Sequence, residues 1–156
     1  MKRAAAVVIA AVLLLNAQRP EALGPVMQLT FYIHEAGHLI FSMFPQFIYI
    51  AAGSVFQCVV PIVAIATAWR KGALFSACLG GFWLSYNLFY VAMYAKDAVD
   101  MVLPGLRGEI HDWNYMLDEL GLFGATPLIA GAILTLGILV TLASAGLAVL
   151  VADEEV

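Results

Sequence analysis

The chain has 156 residues, enough for one domain, of which 63% are apolar and only 12% charged, with a mean hydropathy of +0.95. A soluble domain carries about 25% charged residues, so this composition excludes an ordinary soluble globular protein and implies a helical one built around long apolar runs. The net charge of −4 comes partly from the tail Asp153-Glu154-Glu155, a solvated end, and no basic patch with interleaved aromatics marks a nucleic-acid partner.

The expected fold class is therefore all-α: a polytopic helical membrane protein forming a single membrane domain over residues 1–156, with membrane lipid as its surroundings. Residues 1–18 carry Lys2-Arg3 followed by the apolar run Ala4 to Leu15. That pattern fits either a signal peptide or an extra, uncleaved helix, and the poor cleavage signal at Leu15-Asn16-Ala17 favours the helix.

Four later segments are long enough to cross a bilayer, which takes about 20 residues. The first runs from Ala22 to Phe44, with Pro25 in its first turn and Pro45 at its end. The second runs from Gln46 to Trp69 and stops at Arg70-Lys71. Within it Pro61 cannot donate to the carbonyl of Gln57, which places a freed carbonyl and a side-chain amide near Gly53 and Ser54. The third runs from Ala73 to Ala95, and one of its faces carries Ser76, Gly80, Asn87 and Tyr94 beside Trp83 and Tyr90. The fourth runs from Thr126 to Val151 and shows Gly137, Thr141, Ser144 and Ala145 along one side, a packing face. Cys58 and Cys78 lie inside apolar runs and read as packing residues rather than a disulfide or thiolate site.

If the N-terminal segment does not span, Lys2, Arg3, Arg19, Arg70 and Lys71 share one side and only Lys96 and Arg107 lie on the other. That arrangement fits the positive-inside rule with a cytoplasmic N-terminus; if the segment spans, the split is four against three and decides nothing. The connection 96–124 holds Asp97, Asp100, Glu109, His111, Asp112, Asp118 and Glu119. Inside it Trp113, Met116, Leu117 and Leu120 recur at helical spacing, which predicts a short amphipathic helix with Asp112 as N-cap.

The chemistry concentrates in His34-Glu35-Ala36-Gly37-His38. On a helix the i, i+4 spacing puts both imidazoles on one face with the glutamate beside them, an arrangement that can hold Zn2+ and activate a bound water. Ionisable groups in an apolar span are costly and mark function. Two histidines leave a catalytic zinc one protein ligand short, and His111 and Asp112 are the leading candidates for the third, ahead of Asp97 and Asp100. Glu35 is the expected general base. Gln57 and Asn87 are candidate substrate-binding or supporting groups, with interhelical hydrogen bonding as their plainer use. Apart from the motif no span interior carries a carboxylate or a histidine, which argues against a pump or channel.

The motif in its membrane setting resembles the site-2 protease-like family of intramembrane zinc metallopeptidases. That resemblance implies zinc ligation by His34 and His38, with Glu35 as the catalytic glutamate. Gly53-Ser54-Val55-Phe56-Gln57 loosely parallels the family's glycine-to-asparagine segment. The family takes its third ligand from an L-D-G aspartate on a later span, which has no match here; His111-Asp112-Trp113-Asn114 stands at a similar place in chain order. The chain is also similar to small bacterial membrane proteins that pair an H-E-A-G-H helix with a later H-D-W segment. The resulting expectation is a zinc metallopeptidase of the bacterial inner membrane that hydrolyses peptide bonds of transmembrane or membrane-associated segments. The alternative is a non-catalytic metal-binding membrane protein: a sensor, carrier or assembly factor.

Overall fold

A computed structural model describes residues 1–103 and 110–153. Every regular element in it is helical: α1 (Lys2–Leu15), α2 (Gly24–Ile40), α3 (Gln46–Arg70), α4 (Leu74–Lys96), α5 (Asp112–Glu119) and α6 (Thr126–Val151), with short 3₁₀ turns at Pro20–Ala22 and Phe123–Ala125. Arg107, Glu109, Glu154 and Glu155 lie outside the described residues.

α4 is the centre of the bundle, packing against α6, α3 and α1. Small residues let these helices approach closely. A Cβ at Gly80 would meet Ile65 of α3 at 2.8 Å, and one at Gly137 would meet the ring of Phe89 at 2.7 Å. Gly81 likewise takes the Ser144 side chain of α6, so that face packs as its composition implied. α1 lays Ala6, Ala10 and Leu13, and the turn after it Ala17, into the core formed by Cys78, Phe82, Tyr86, Phe89, Ala148 and Val151. Arg3 ties it to the end of α6 through the Val149 carbonyl and an ion pair with Asp153 at 2.6 Å. Tyr86 fixes the connection after α1 by donating to the Pro20 carbonyl at 3.0 Å. Neither cysteine is in a disulfide.

Among the described residues three stretches are long and apolar enough to cross a membrane: Gln46–Arg70, Leu74–Lys96 and Phe123–Val151. The first expected span is not one of these three. α2 has 17 residues, about 25 Å at 1.5 Å per residue, against a hydrocarbon core of about 30 Å. It ends at Ile40, and residues 41–44 turn before Pro45, which stands as the N-cap of α3. α1, with 14 residues, is shorter still. Pro61 sits inside a continuous α3. The chain thus reads as a membrane protein whose motif helix is a shorter element packed on α3.

Candidate metal centre

The buried face of α2 is Thr30, His34 and Gly37, and it meets α3 closely. A Cβ at Gly37 would stand 2.5 Å from the Ala52 carbonyl and 2.8 Å from Phe56 Cβ, so only glycine permits this approach. The contact brings the two imidazoles over Gly53 of α3.

Each ring is held through its Nδ1. His34 Nδ1 lies 2.8 Å from Gln57 Oε1, and His38 Nδ1 lies 2.9 Å from the main-chain carbonyl of Tyr49. Gln57 Nε2 donates to the Asn87 carbonyl at 3.3 Å, which fixes the orientation of its amide with the oxygen toward His34. Both partners are acceptors, so both histidines carry their proton on Nδ1 and turn a bare Nε2 inward.

The Asp112 carboxylate meets those two nitrogens. His34 Nε2 is 2.9 Å and His38 Nε2 3.2 Å from Asp112 Oδ2, and the two nitrogens are 3.1 Å apart. Three lone-pair acceptors thus converge on one point, which requires a cation between them, either a proton or a metal ion. Glu35 is the next group out, with His34, Glu35 and His38 offering ligand atoms within 4.8 Å of one another, a group that could hold a metal ion. Gly53 leaves the room: a Cβ there would stand 2.5 Å from His34 Nε2 and 2.6 Å from His38 Nε2.

α5 delivers Asp112. The Trp113 indole donates to Ser54 Oγ at 3.1 Å, the Asn114 amide to the Ala98 carbonyl at 2.8 Å, and the Asp112 N–H to the Tyr94 hydroxyl at 3.3 Å. The Tyr94 ring also packs edge-on to His34, with centroids 6.0 Å apart. Burial alone would raise the Asp112 pKa. The hydrogen bonds with His34 and then His38 outweigh that and hold the carboxyl below its ordinary value.

His111 takes a different place from the one expected as a third ligand. It, and not Asp112, is the N-cap of α5: its Nδ1 accepts the Asn114 N–H at 3.2 Å, while Nε2 donates to Asp97 Oδ2 at 3.3 Å. Both nitrogens are engaged away from the histidine pair. Asp97 is equally committed, accepting the N–H groups of Val102 and Leu103 at 2.9 and 3.0 Å, so it fastens the loop. Leu120 lies exposed past the end of α5 rather than on its packed stripe. Gln57 supports His34 directly, and Asn87 lies behind it, its Nδ2 donating to the Trp83 carbonyl at 2.8 Å. The Tyr49 carbonyl escaped the sequence reading, because a main-chain acceptor leaves no mark in residue identity.

No family model, curated relative or solved structure matches the chain.

Proposed function

We propose that this protein is a zinc metallopeptidase embedded in a membrane, with His34, His38 and Asp112 as ligands and Glu35 as general base. The convergence of His34 Nε2, His38 Nε2 and Asp112 Oδ2 carries the proposal. A tetrahedral zinc with bonds of about 2.0–2.1 Å holds its donors about 3.3 Å apart, and the edges of this triangle are 2.9, 3.1 and 3.2 Å. Two imidazoles and one carboxylate leave the fourth position for water, as in hydrolytic zinc sites. Glu35 stands beside the ligands, where its carboxylate takes the proton of the attacking water and passes it to the leaving amine. An aspartate as third ligand also agrees in kind with the site-2 protease-like resemblance. A membrane-associated peptide segment is the proposed substrate, and a bacterial inner membrane the proposed location.

The test is full-length protein in detergent micelles, assayed for bound zinc and for cleavage of an internally quenched Leu/Ala-rich peptide. Glu35→Gln should keep one zinc per chain and lose about 100-fold or more in cleavage rate, the scale of general-base catalysis. Undiminished cleavage in that variant would remove the mechanism.

One observation favours a second reading, a non-catalytic metal that clips α5 to the bundle. The side chains of His34, His38 and Asp112 are only 7%, 12% and 6% exposed, as enclosed as a structural site. Zinc binding that raises the unfolding temperature without any cleavage would select it.

A further inference from the structure

α4 and α6 pack closely at Gly137 and Gly81 but part toward the end of α4. A Cβ at Gly137 would meet the Phe89 ring at 2.7 Å, and Gly81 takes the Ser144 side chain. Gly131, nearer the start of α6, would have nothing within 4 Å of its Cβ. The space left there is a cleft of about 810 Å³ between the last turns of α4, the first turns of α6 and the turn after α1. Small-molecule sites enclose about 300–1,000 Å³, so the cleft is large enough to be one. Ala92 and Lys96 of its α4 wall stand opposite Tyr94, since residues two apart on a helix point about 200° apart. The cleft therefore opens away from the metal centre.

It is charged at its mouth and apolar along its depth. Lys96, Asp97 and Asp100 stand at the mouth, where the α4 stretch long enough to cross a membrane ends. Ala92, Ala130, Gly131 and Leu134 line the interior. From Thr126 to Leu134 the α6 wall descends about 12 Å at 1.5 Å per residue. Ala17 lies at the bottom: Pro20, next along that turn, is held by Tyr86, about 15 Å below Lys96 along α4. Half of a hydrocarbon core of about 30 Å is also about 15 Å, so the cleft is one leaflet deep with its mouth at headgroup level. The charges at the mouth are not equivalent. Asp97 is occupied by Val102, Leu103 and His111. The exposed side chains of Lys96 and Asp100 pair with nothing among the described residues, and not with each other.

We propose that this cleft binds one phospholipid whose zwitterionic headgroup carries a primary ammonium. Its phosphate meets Lys96, its ammonium meets Asp100, and an acyl chain runs down between Ala92 and Gly131. A free cation and a free anion at one mouth call for a guest with one charge of each sign. An anionic headgroup would satisfy Lys96 but face two carboxylates, because one lysine against two aspartates leaves the mouth net negative. A trimethylammonium headgroup has the right charges but no N–H to give Asp100. A primary ammonium has three, and hydrogen bonds between charged groups are the strong ones. The chain also fills a gap between helices whose lining would otherwise lack dispersion partners.

The experiment titrates delipidated, full-length protein in micelles with phosphatidylethanolamine, phosphatidylcholine and phosphatidylglycerol of identical acyl chains, and native mass spectrometry counts the lipids bound. Phosphatidylethanolamine should bind as one lipid per chain, about five- to tenfold tighter than the other two, the scale of one partly exposed charge-assisted hydrogen bond. Asp100→Asn should remove that preference, and Lys96→Gln should weaken all three lipids, since all carry the phosphate. Gly131→Leu fills open space and should exclude the bound lipid whatever its headgroup, with the helical circular dichroism unchanged. Equal binding of the three headgroups, the behaviour of annular lipid only, would overturn the site, and that comparison needs no variant to fold. So would a preference that survives Asp100→Asn, or a bound lipid that survives Gly131→Leu.

Discussion

His34 donates from Nδ1 to Gln57 Oε1 across 2.8 Å, and this bond decides which ring nitrogen faces Asp112. With the Nδ1 proton committed, Nε2 keeps its lone pair for a metal. Gln57 is itself held by the Asn87 carbonyl, so the orientation of a ligand on α2 is set from α4 through α3. Replacing Gln57 with leucine should lower zinc affinity about 10–100-fold, the usual effect of losing a partner that orients a metal ligand. Gln57→Glu keeps an acceptor for Nδ1 and should recover part of it. Competition with a chromophoric chelator measures both, and an unchanged affinity in Gln57→Leu would deny Gln57 this role.

Gly53 makes a sharper prediction, because its role is to be empty. A methyl group there would stand within 2.6 Å of both Nε2 atoms, in the space the ion needs. Gly53→Ala should abolish zinc binding while leaving the helical circular dichroism unchanged. The change removes no ligand, so a simple loss of donor groups cannot account for that result. Gly37→Ala is the contrast. Its Cβ would press on the Ala52 carbonyl and Phe56, so it should destabilise the α2–α3 contact, by about 1–3 kcal/mol as overpacking does, and show in the unfolding temperature.

How far the sequence carried this picture depends on the kind of signal. Apolar runs marked α3, α4 and α6 to within a residue, since length and hydropathy alone decide them. They overextended α2, whose end depends on the turn before Pro45. The histidine pair was visible because helical spacing is fixed. The choice between His111 and Asp112 was not visible. Neighbouring residues at a helix start point in directions about 100° apart, and which of them faces the bundle depends on where the helix begins. His111 has extended backbone geometry and caps the helix, so Asp112 becomes its first residue and turns toward α2.

The two residues should therefore separate cleanly. Asp112→Asn removes the anionic donor and should weaken zinc binding at least tenfold, reducing the rise in unfolding temperature that zinc confers on the wild type. His111→Ala should retain one zinc per chain. It loses the N-cap bond to Asn114 and the contact with Asp97, so it should cost about 1 kcal/mol and speed hydrogen exchange in α5. Loss of zinc stoichiometry in His111→Ala, with α5 still protected, would return His111 to the ligand set.

Acid should act on the metal-free and metal-bound forms through different groups. In the metal-free protein burial works to raise the Asp112 carboxyl, but its hydrogen bonds with His34 and His38 outweigh that and keep it below its ordinary value. A carboxyl whose folded pKa is depressed contributes stability above the unfolded value, and that contribution is lost as pH falls through the folded one. Docking of α5 in the metal-free protein should thus survive down to about pH 4, the ordinary carboxylate range, and fail only below it. The zinc-bound form should respond earlier, because protons compete with the metal for the same Nε2 lone pairs and affinity falls as pH falls. Hydrogen exchange of the α5 amides, followed from neutral pH downward with and without zinc, reads both effects. Release of α5 from the metal-free protein at a pH well above the carboxylate range would show that the pairing of Asp112 with His34 and His38 does not hold it.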